Sequence, residues 1–262
     1  MVMYVITHKH FKYQNLPDGY TPLLVGANKN ANPDHFLQDN EGDNISSKNG
    51  SYCELTGLYW MWKHNQETNV GLSHYRRYFA NYSSRAKMYL NYLFHGEIKP
   101  ISISDLNHDL KNGYDWIAAE PDYGGEGTLW DQYNTNHNIK DLNTTREVIR
   151  QYYPEYLDAF DHVMKHTKKG SFYNMFYTTN EELDNYATWL FGVLEKVEER
   201  TDISSYDSYQ TRLYGFLGER LLNIWLYSRN ASVKYYPVYQ SEEMSRIRSL
   251  RACLHILKTR FK

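Results

Sequence analysis

The chain has 262 residues, of which 41% are hydrophobic and 16% aromatic, and its formal net charge is −2. This composition suits one α/β domain with a buried core and excludes intrinsic disorder, which needs few aromatic residues and a high net charge. The near-neutral charge argues against nucleic-acid binding through phosphate contacts. The two cysteines, Cys53 and Cys253, have neither a zinc-binding nor a redox spacing, which fits a reducing cytosol.

The first residues (MVMYVITHKH) lack the basic start and long apolar run of a signal peptide. No window of the sequence reaches the roughly 20 apolar residues of a membrane span. We therefore expect a cytoplasmic protein, with the inner face of the plasma membrane as one place where it acts.

Early in the chain, short apolar runs predict two strands, a polar loop and a helix. Residues 2–7 and 22–27 are the predicted strands, and the polar stretch 28–50 is a loop long enough to suggest function. Residues 54–64 are a predicted helix, because apolar residues recur at i, i+3, i+4 and i+7 from Leu55.

Further along, two more strands precede a mainly helical part. Residues 69–75 and 114–120 are the predicted strands, 181–199 and 208–227 are helices with one apolar face, and 233–238 is a late strand. Strands that alternate with helices early, and helices that predominate later, predict an α/β sheet with a helical C-terminal part.

The motif HYRR follows the third predicted strand directly and places His74, Arg76 and Arg77 together. Ligands in open α/β sheets bind beyond the carboxyl ends of the strands. The planar guanidinium of arginine suits phosphate oxygens, so the motif is a candidate anion site. The alternative is that these arginines pair with surface carboxylates.

Residues 43–79 (DNISSKNGSYCELTGLYWMWKHNQETNVGLSHYRRYF) resemble a family of capsular and exopolysaccharide biosynthesis proteins, long described as a domain of unknown function and now regarded as glycosyltransferases. Further motifs extend the resemblance in order along nearly the whole chain: Trp130 to Tyr133, His137, Asp141, Phe172 to Phe176, Tyr186 to Glu198 and Arg212 to Leu226. The resemblance implies a single GT-A-like nucleotide-sugar domain over residues 1–262. It also implies inverting transfer of a hexose, galactose or galactofuranose, from a UDP-sugar to a lipid-linked bacterial glycan precursor.

Within the resemblance, several polar residues are expected to contact the donor. The candidates lie at the end of the first strand, in the polar loop, at the helix start and in the HYRR motif: His8, Lys9, Asp43, Asn44, Asn49, Glu54, His74, Arg76 and Arg77. Their alternatives are a solvated pair for the first two, turn formation for the loop residues and a favourable charge at the helix start for Glu54.

One departure from the fold's usual pattern concerns metal binding. Most enzymes of this fold hold a divalent metal with an Asp-x-Asp pair, and the HYRR motif stands where that pair is expected. We therefore expect Arg76 and Arg77 to neutralise the diphosphate, with no tightly bound cofactor. The alternative is that a carboxylate elsewhere, such as Asp39 or Asp43, holds the metal.

Four polar residues after the fourth strand are acceptor-side candidates: Asp131, Tyr133, His137 and Asp141. Each could bind a sugar hydroxyl, and Asp131, His137 or Asp141 could serve as the base. Because His137 and Asp141 are four residues apart, they would share one face of a helix, which also permits a simple surface contact. Asn174 is expected to line the pocket, whereas the two residues after it are expected in the core.

Glu219 is the main candidate for the catalytic base. At about 100° per residue, it projects away from the apolar stripe of its helix, on the same side as Arg212. A carboxylate placed there could deprotonate an acceptor hydroxyl, with Arg212 and Arg220 as acceptor contacts. The alternative is a structural ion pair between Glu219 and Arg220.

The last seventeen residues, 246–262, contain six basic residues and no acid, and Leu250, Leu254, Leu257 and Phe261 recur at helical spacing. This basic amphipathic segment suits an anionic membrane face, or alternatively a helix docked on the domain with a solvated basic side. A hypothesis from another class is a glycan-binding scaffold with a degenerate transferase fold. A metal-dependent hydrolase is disfavoured because no HExxH spacing occurs.

Overall fold

The structure, a computed structural model, describes the backbone of residues 1–260 and the side chains of residues 1–254. These residues form nine strands and ten α-helices. The strands are β1 (Val2–Thr7), β2 (Tyr20–Leu24), β3 (Leu37–Gln38), β4 (Asn69–His74), β5 (Arg77–Phe79), β6 (Trp116–Ala119), β7 (Phe176–Thr179), β8 (Val233–Tyr236) and β9 (Val238–Gln240). The helices are α1 (Asn49–Tyr52), α2 (Leu55–His64), α3 (Arg85–His95), α4 (Ile103–Lys111), α5 (Leu129–Asn136), α6 (Ile139–Tyr152), α7 (Leu157–His166), α8 (Asn180–Glu198), α9 (Leu213–Ser228) and α10 (Arg246–Arg260).

A mixed sheet organises the fold, with strand order β3-β2-β1-β4-β7-β6-β8. The first four strands in this order, β3, β2, β1 and β4, are parallel to one another, and β6 pairs in parallel with β8. Strand β7 is antiparallel to both β4 and β6. Strands β5 and β9 pair with each other and join the sheet through β4. The predicted α/β sheet flanked by helices is confirmed.

Both faces of the sheet are covered, as β1 illustrates. Alternate side chains point to opposite faces of a strand, and every residue of β1 is buried. Val2, Tyr4 and Ile6 pack in one core with residues of α2, α6, α8 and α9. Met3 and Val5 pack in a second core with residues of α3 and α4. The continuous apolar run in this sequence is therefore that of a strand buried on both faces.

Most predicted elements are present with shifted ends. The second strand covers Tyr20–Leu24 rather than residues 22–27, because the chain turns at Gly26 with a φ of 60°. The predicted strand 233–238 is two strands, β8 and β9, which separate at Pro237, a residue without an N–H for a ladder. The polar loop 28–50 contains β3 and the start of α1. Strands β5 and β7 and helices α3 to α7 were not predicted.

The topology places several chain segments at one edge of the sheet. The carboxyl ends of β1 and β4 lie side by side, with Ile6 opposite His74 in the register. Met175 and Phe176 are buried, as expected from the sequence. Within the described residues, none of the helices combines the length and apolar composition needed to cross a bilayer.

Candidate active site

A cleft of about 800 Å³ opens at the carboxyl ends of β1 and β4. Ten of the predicted site residues line it: His8, Asn49, Glu54, His74, Arg76, Arg77, His137, Arg212, Glu219 and Arg220. A neighbouring groove of about 890 Å³ shares Tyr75 with the cleft and has Lys9, Lys12 and Lys99 on its rim. We call these two sites the cleft and the lysine-rimmed groove. The cleft is the candidate active site because partly buried carboxylates and arginines meet there.

His74 is the last residue of β4 and lines the cleft. Its side chain is buried, and Nε2 donates to the backbone carbonyl of Tyr173 at 2.7 Å. Burial, reinforced by the charge of Arg77, lowers the pKa of His74 to about 4. The imidazole is therefore neutral near pH 7 and contributes position rather than positive charge.

The arginines supply the positive charge of the cleft. The Arg77 guanidinium lies 4.7 Å from the ring centroid of Tyr173. Arg212 lies 5.3 Å from the ring of Phe216, and its Nε donates to Cys53 Sγ at 3.4 Å. Within residues 1–254, neither Arg77 nor Arg212 forms an ion pair. Two guanidinium groups without an ion-pair partner make the cleft suitable for an anion.

Arg76 and Arg220, in contrast, each lie within 4 Å of a carboxylate oxygen. Arg76 Nη1 lies 3.9 Å from Glu242 Oε2, a long contact between two partly exposed side chains. Arg220 is largely buried, and its Nη1 donates to Glu219 Oε2 at 2.8 Å. Arg76 therefore remains available to a ligand, whereas Arg220 belongs to the wall of the site.

Glu219 projects from α9 into the cleft with both oxygens engaged. Oε1 accepts a hydrogen bond from the backbone N–H of Tyr173 at 2.9 Å, and Oε2 accepts the bond from Arg220. Burial raises the pKa of Glu219, the Arg220 charge opposes that shift, and Glu54 adds to it. A raised pKa brings a carboxylate closer to the range in which it accepts a proton efficiently near neutral pH.

Glu54 is the second carboxylate of the cleft. Its Oε1 accepts from Asn174 Nδ2 at 2.6 Å, and burial raises its pKa against the opposing charges of Arg212 and Arg77. Asn174 is itself buried behind the cleft wall and also donates to the Gly215 carbonyl at 3.3 Å. Asn174 thus holds Glu54 rather than lining the pocket.

Backbone strain is concentrated at this cleft. Cys53 (φ 51°), Tyr173 (φ 77°) and Asn174 (φ 53°) have positive φ angles, which cost non-glycine residues roughly 1–3 kcal/mol each. Asn223 on α9 clamps the loop that carries two of them: its Oδ1 accepts from the Ser171 N–H at 2.7 Å and its Nδ2 donates to the Ser171 carbonyl at 2.9 Å. Such strain is typical of functional sites, where surrounding contacts hold it in place.

The rings of His137, Tyr209 and Phe216 form an aromatic platform in the cleft. The His137 ring stacks at 4.1 Å on Phe216 and at 5.8 Å on Tyr209. Burial, with the Arg220 charge, lowers the pKa of His137 to about 4, so the ring is neutral near pH 7. A flat neutral stack suits the apolar face of a sugar or a nucleobase. The low pKa of His137 also makes it a weak proton acceptor.

The first strand and the polar loop contribute three further predicted residues. His8 lines the cleft with its ring 5.5 Å from Tyr75. Lys9 instead lies in the lysine-rimmed groove, where its Nζ is 5.2 Å from the Tyr75 ring centroid. Asn49 lines the cleft, and its Nδ2 donates to the Cys53 carbonyl and to Thr56 Oγ1.

Besides Lys9, two predicted donor contacts lie outside the cleft. Asp43 Oδ1 accepts from the Tyr59 hydroxyl at 3.1 Å, on the outer side of α2. Asn44 closes a turn: its side chain donates to the carbonyls of Asn40 and Gly42 and accepts from the Ser46 N–H. The structure thus corrects their placement, because local turn and helix contacts use their polar atoms.

Three predicted acceptor-side residues also lie outside it. Asp131 forms a capping box with Thr128 at the start of α5. Asp141 is buried and accepts from the Tyr206 hydroxyl at 2.7 Å. Tyr133 is fully buried, with the Arg220 guanidinium 5.4 Å from its ring centroid. Capping and core packing explain these positions.

The cleft contains acidic side chains that bear on metal binding. Its carboxylates are Glu54, Glu219 and Asp122, and Asp122 pairs with Arg85. Across residues 1–254, no three His, Cys, Asp or Glu side chains cluster as metal ligands would. Asp39 is fully buried and accepts four hydrogen bonds from protein groups, so its role is structural.

Several residues that line the cleft were not predicted from the sequence. Asp122, Tyr173, Tyr209 and Phe216 are the main ones. Asp122 comes three residues after β6 ends, and a polar residue at that position is a signal that could have identified it. The others are aromatic, and their type does not separate a cleft wall from a core.

Two comparisons relate the chain to known proteins. A family model described as a domain of unknown function (DUF4422) matches residues 2–230. The apo structure of the bifunctional glycosyltransferase WbbM is similar, with a TM-score of 0.80 and 25% sequence identity. That similarity covers 92% of this chain and 45% of the WbbM chain, so this chain spans slightly less than half of that protein's length. A comparison with curated proteins found no match.

Proposed function

The chain belongs to the DUF4422 family, and we propose that it is a glycosyltransferase that moves a hexose, galactose or galactofuranose, from a UDP-sugar to a glycan acceptor. One observation carries the proposal: arginines without an ion-pair partner and partly buried carboxylates meet in a single cleft at the carboxyl edge of the sheet. The similarity to a bifunctional glycosyltransferase over 92% of this chain supports it.

The donor diphosphate is assigned to the arginines of the cleft. Arg77 and Arg212 have no acidic partner among the described side chains, and Arg76 has only a long contact with Glu242. Guanidinium groups bind phosphate oxygens through paired N–H donors. We therefore propose that these arginines neutralise the diphosphate and the charge that develops on departing UDP, without a bound metal.

Glu219 is assigned as the base. In the proposed step the acceptor hydroxyl oxygen bonds to the anomeric carbon while the bond from that carbon to the β-phosphate oxygen breaks. UDP leaves with that electron pair, and the hydroxyl proton passes to Glu219. In-line attack inverts the anomeric configuration. The hydrogen bonds from Tyr173 and Arg220 fix the carboxylate, and its raised pKa suits proton acceptance.

The remaining cleft residues are assigned to binding. His8 and Asn49 lie on the β1 side and are proposed donor contacts. The platform of His137, Tyr209 and Phe216 is proposed to stack against a sugar ring. The proposed acceptor is a lipid-linked precursor of a bacterial capsule or exopolysaccharide, a class that follows from the family resemblance.

Calorimetric titration with UDP, in EDTA and then with added Mn²⁺, tests the donor assignment. We expect binding in EDTA. Arg77→Gln should weaken it about tenfold or more, since a hydrogen bond to a charged group contributes roughly 1.5–3 kcal/mol. Arg150→Gln, which removes an exposed charge on α6, is the matched control and should bind as the wild type does. Binding only with Mn²⁺ would overturn the metal-free assignment, and no binding in either condition would overturn the UDP assignment.

A further inference from the structure

The face formed by α3 and α10 exposes an unusual amount of apolar surface. Twelve large hydrophobic side chains are exposed in the part of the chain whose side chains are described, and seven of them are not tyrosines. Five of those seven lie on these two helices: Leu90, Phe94, Ile247, Leu250 and Leu254. Phe94 is the most exposed of the twelve, at 75%. Exposed apolar side chains grouped on two packed helices are a candidate interaction site.

The two helices pack against each other with their apolar residues left outside. The Tyr92 hydroxyl of α3 donates to the Met244 carbonyl just before α10 at 3.3 Å. On α10, Ser249 and Cys253 are buried. Ile247, Leu250 and Leu254 fall within about 60° of one another around the helix, on a different side. Leu90 and Phe94 are four residues apart and share a face of α3.

Positive charge borders this apolar surface. Lys87 on α3 and Arg246 and Arg251 on α10 are exposed. Arg248 pairs with Glu243, whereas residues 246–262 carry six basic residues and no acid in the sequence. A second copy of the chain meeting this face symmetrically would bring like charges together. The charge pattern instead complements an anionic surface.

We propose that the α3–α10 face docks on an anionic lipid bilayer, with its apolar side chains in the headgroup region and its basic side chains beside lipid phosphates. Helices that bind in this way lie in the plane of the interface and combine apolar burial with attraction to anionic lipid. Each basic residue beside an anionic membrane strengthens this attraction. The side chains of 255–262, which the sequence places in the same segment, lie outside the described residues.

The docked orientation has a consequence for the active site, which rests on the proposed function. The lysine-rimmed groove includes residues 97–100, directly after α3, and residues 241–242, just before α10. Through Tyr75 it adjoins the cleft. Docking therefore places the groove between the bilayer and the cleft, on the path of a glycan whose lipid anchor stays in the membrane.

Vesicle flotation with the full chain tests the docking. The probes are vesicles of 70% phosphatidylcholine and 30% phosphatidylglycerol, and vesicles of phosphatidylcholine alone. We expect the bound fraction to be at least tenfold higher on the anionic vesicles and to fall in 0.5 M NaCl. Phe94→Ser with Leu250→Ser should lower binding about tenfold, as should Arg246→Glu with Arg251→Glu.

Matched controls separate this face from general surface effects. Leu37→Ser removes an exposed leucine on β3, and Lys29→Glu with Lys168→Glu reverses two exposed charges elsewhere. These variants should float as the wild type does. Equal wild-type flotation on both vesicle types, or equal losses in the control variants, would overturn the proposal.

Two further measurements keep the outcomes distinct. Light scattering reports the oligomeric state: a wild-type dimer that Phe94→Ser with Leu250→Ser converts to a monomer, with no flotation, would make this face a contact between copies and overturn the proposal. Circular dichroism and UDP titration show whether the variants fold and keep the cleft. A wild-type chain that floats with anionic vesicles but does not bind UDP would contradict the proposed function and leave the docking standing.

Discussion

Asp39 is predicted to be one of the most important polar residues for stability. Its carboxylate is fully buried, and each oxygen accepts one backbone N–H and one hydroxyl: Oδ2 from Gly26 (2.9 Å) and Thr56 (2.6 Å), and Oδ1 from Ala27 (3.1 Å) and Ser46 (2.6 Å). These bonds join the turn after β2 to the 3-10 turn before α1 and to α2. They therefore hold the loop that borders the cleft.

The cost of Asp39→Asn follows from this geometry. In either orientation of the amide, its NH₂ faces one backbone N–H and one hydroxyl. The hydroxyl can rotate to accept, but the backbone donor loses its partner, so at least one hydrogen bond to a charged group, about 1.5–3 kcal/mol, is lost. We expect Asp39→Asn to lower the free energy of unfolding by about 2–3 kcal/mol, and Asp39→Ala by more than about 4 kcal/mol because all four donors lose their acceptor.

Urea unfolding followed by circular dichroism measures this change. Asp18→Asn is the matched control: Asp18 is exposed in the turn before β2, and its substitution should change stability by less than about 0.5 kcal/mol. A loss below about 1 kcal/mol in Asp39→Asn would refute the structural role. A gain in stability of the wild type, but not of Asp39→Asn, on adding Mn²⁺ would instead support a metal site at Asp39.

Three further predictions address packing, pH and catalysis. Gly57→Ala should lower stability by about 1–3 kcal/mol in urea unfolding, since the added Cβ would lie 2.5 Å from a β1 side chain, whereas Gly50→Ala has open space and should not destabilise. The pKa of Asp161 is lowered to about 2 by hydrogen bonds from an arginine on α6, so Asp161→Asn should cost about 0.5–1 kcal/mol at pH 7, a difference that disappears as the pH falls from 4 to 2. Glu219→Gln should slow sugar transfer about 10²–10⁴-fold while Asp131→Asn leaves it unchanged; equal slowing would contradict the base assignment.

The elements that sequence reasoning identified are those with an unambiguous period. Strand β1 is a continuous apolar run, and α8 and α9 carry long buried stripes. Helix α3 was missed because Met88 is its sole fully buried residue while Leu90 and Phe94 face outward, which leaves no clean stripe. Strand β7, which pairs with β4 and β6 in the sheet, was missed because its four residues are too few for a period to show.

The candidate site was predictable where a residue's own element determines its position. Arg76 and Arg77 follow a strand end, and Glu219 lies opposite its helix's apolar stripe, so all three line the cleft. Asp141 could not be placed in this way, because its partner Tyr206 is 65 residues later in the chain. Asp131 does follow a local rule, since the Thr-x-x-Asp spacing is a capping pattern that could have assigned it to helix capping.

The similarity to WbbM extends over most of this chain but less than half of that protein. The features that support transferase chemistry here are therefore those of the cleft itself. Its two unpaired arginines, its raised carboxylate pKa values and its strained backbone lie within one pocket. They are separate from the α3–α10 face, so the two proposals can fail independently.

A crystal structure of the protein grown with UDP in the presence of EDTA would show whether the cleft arginines bind the donor diphosphate without a metal. We expect the diphosphate in the cleft, with phosphate oxygens about 3 Å from Arg77 nitrogens and the β-phosphate facing Glu219. UDP bound in the lysine-rimmed groove, or in the cleft with its diphosphate away from the arginines, would contradict it.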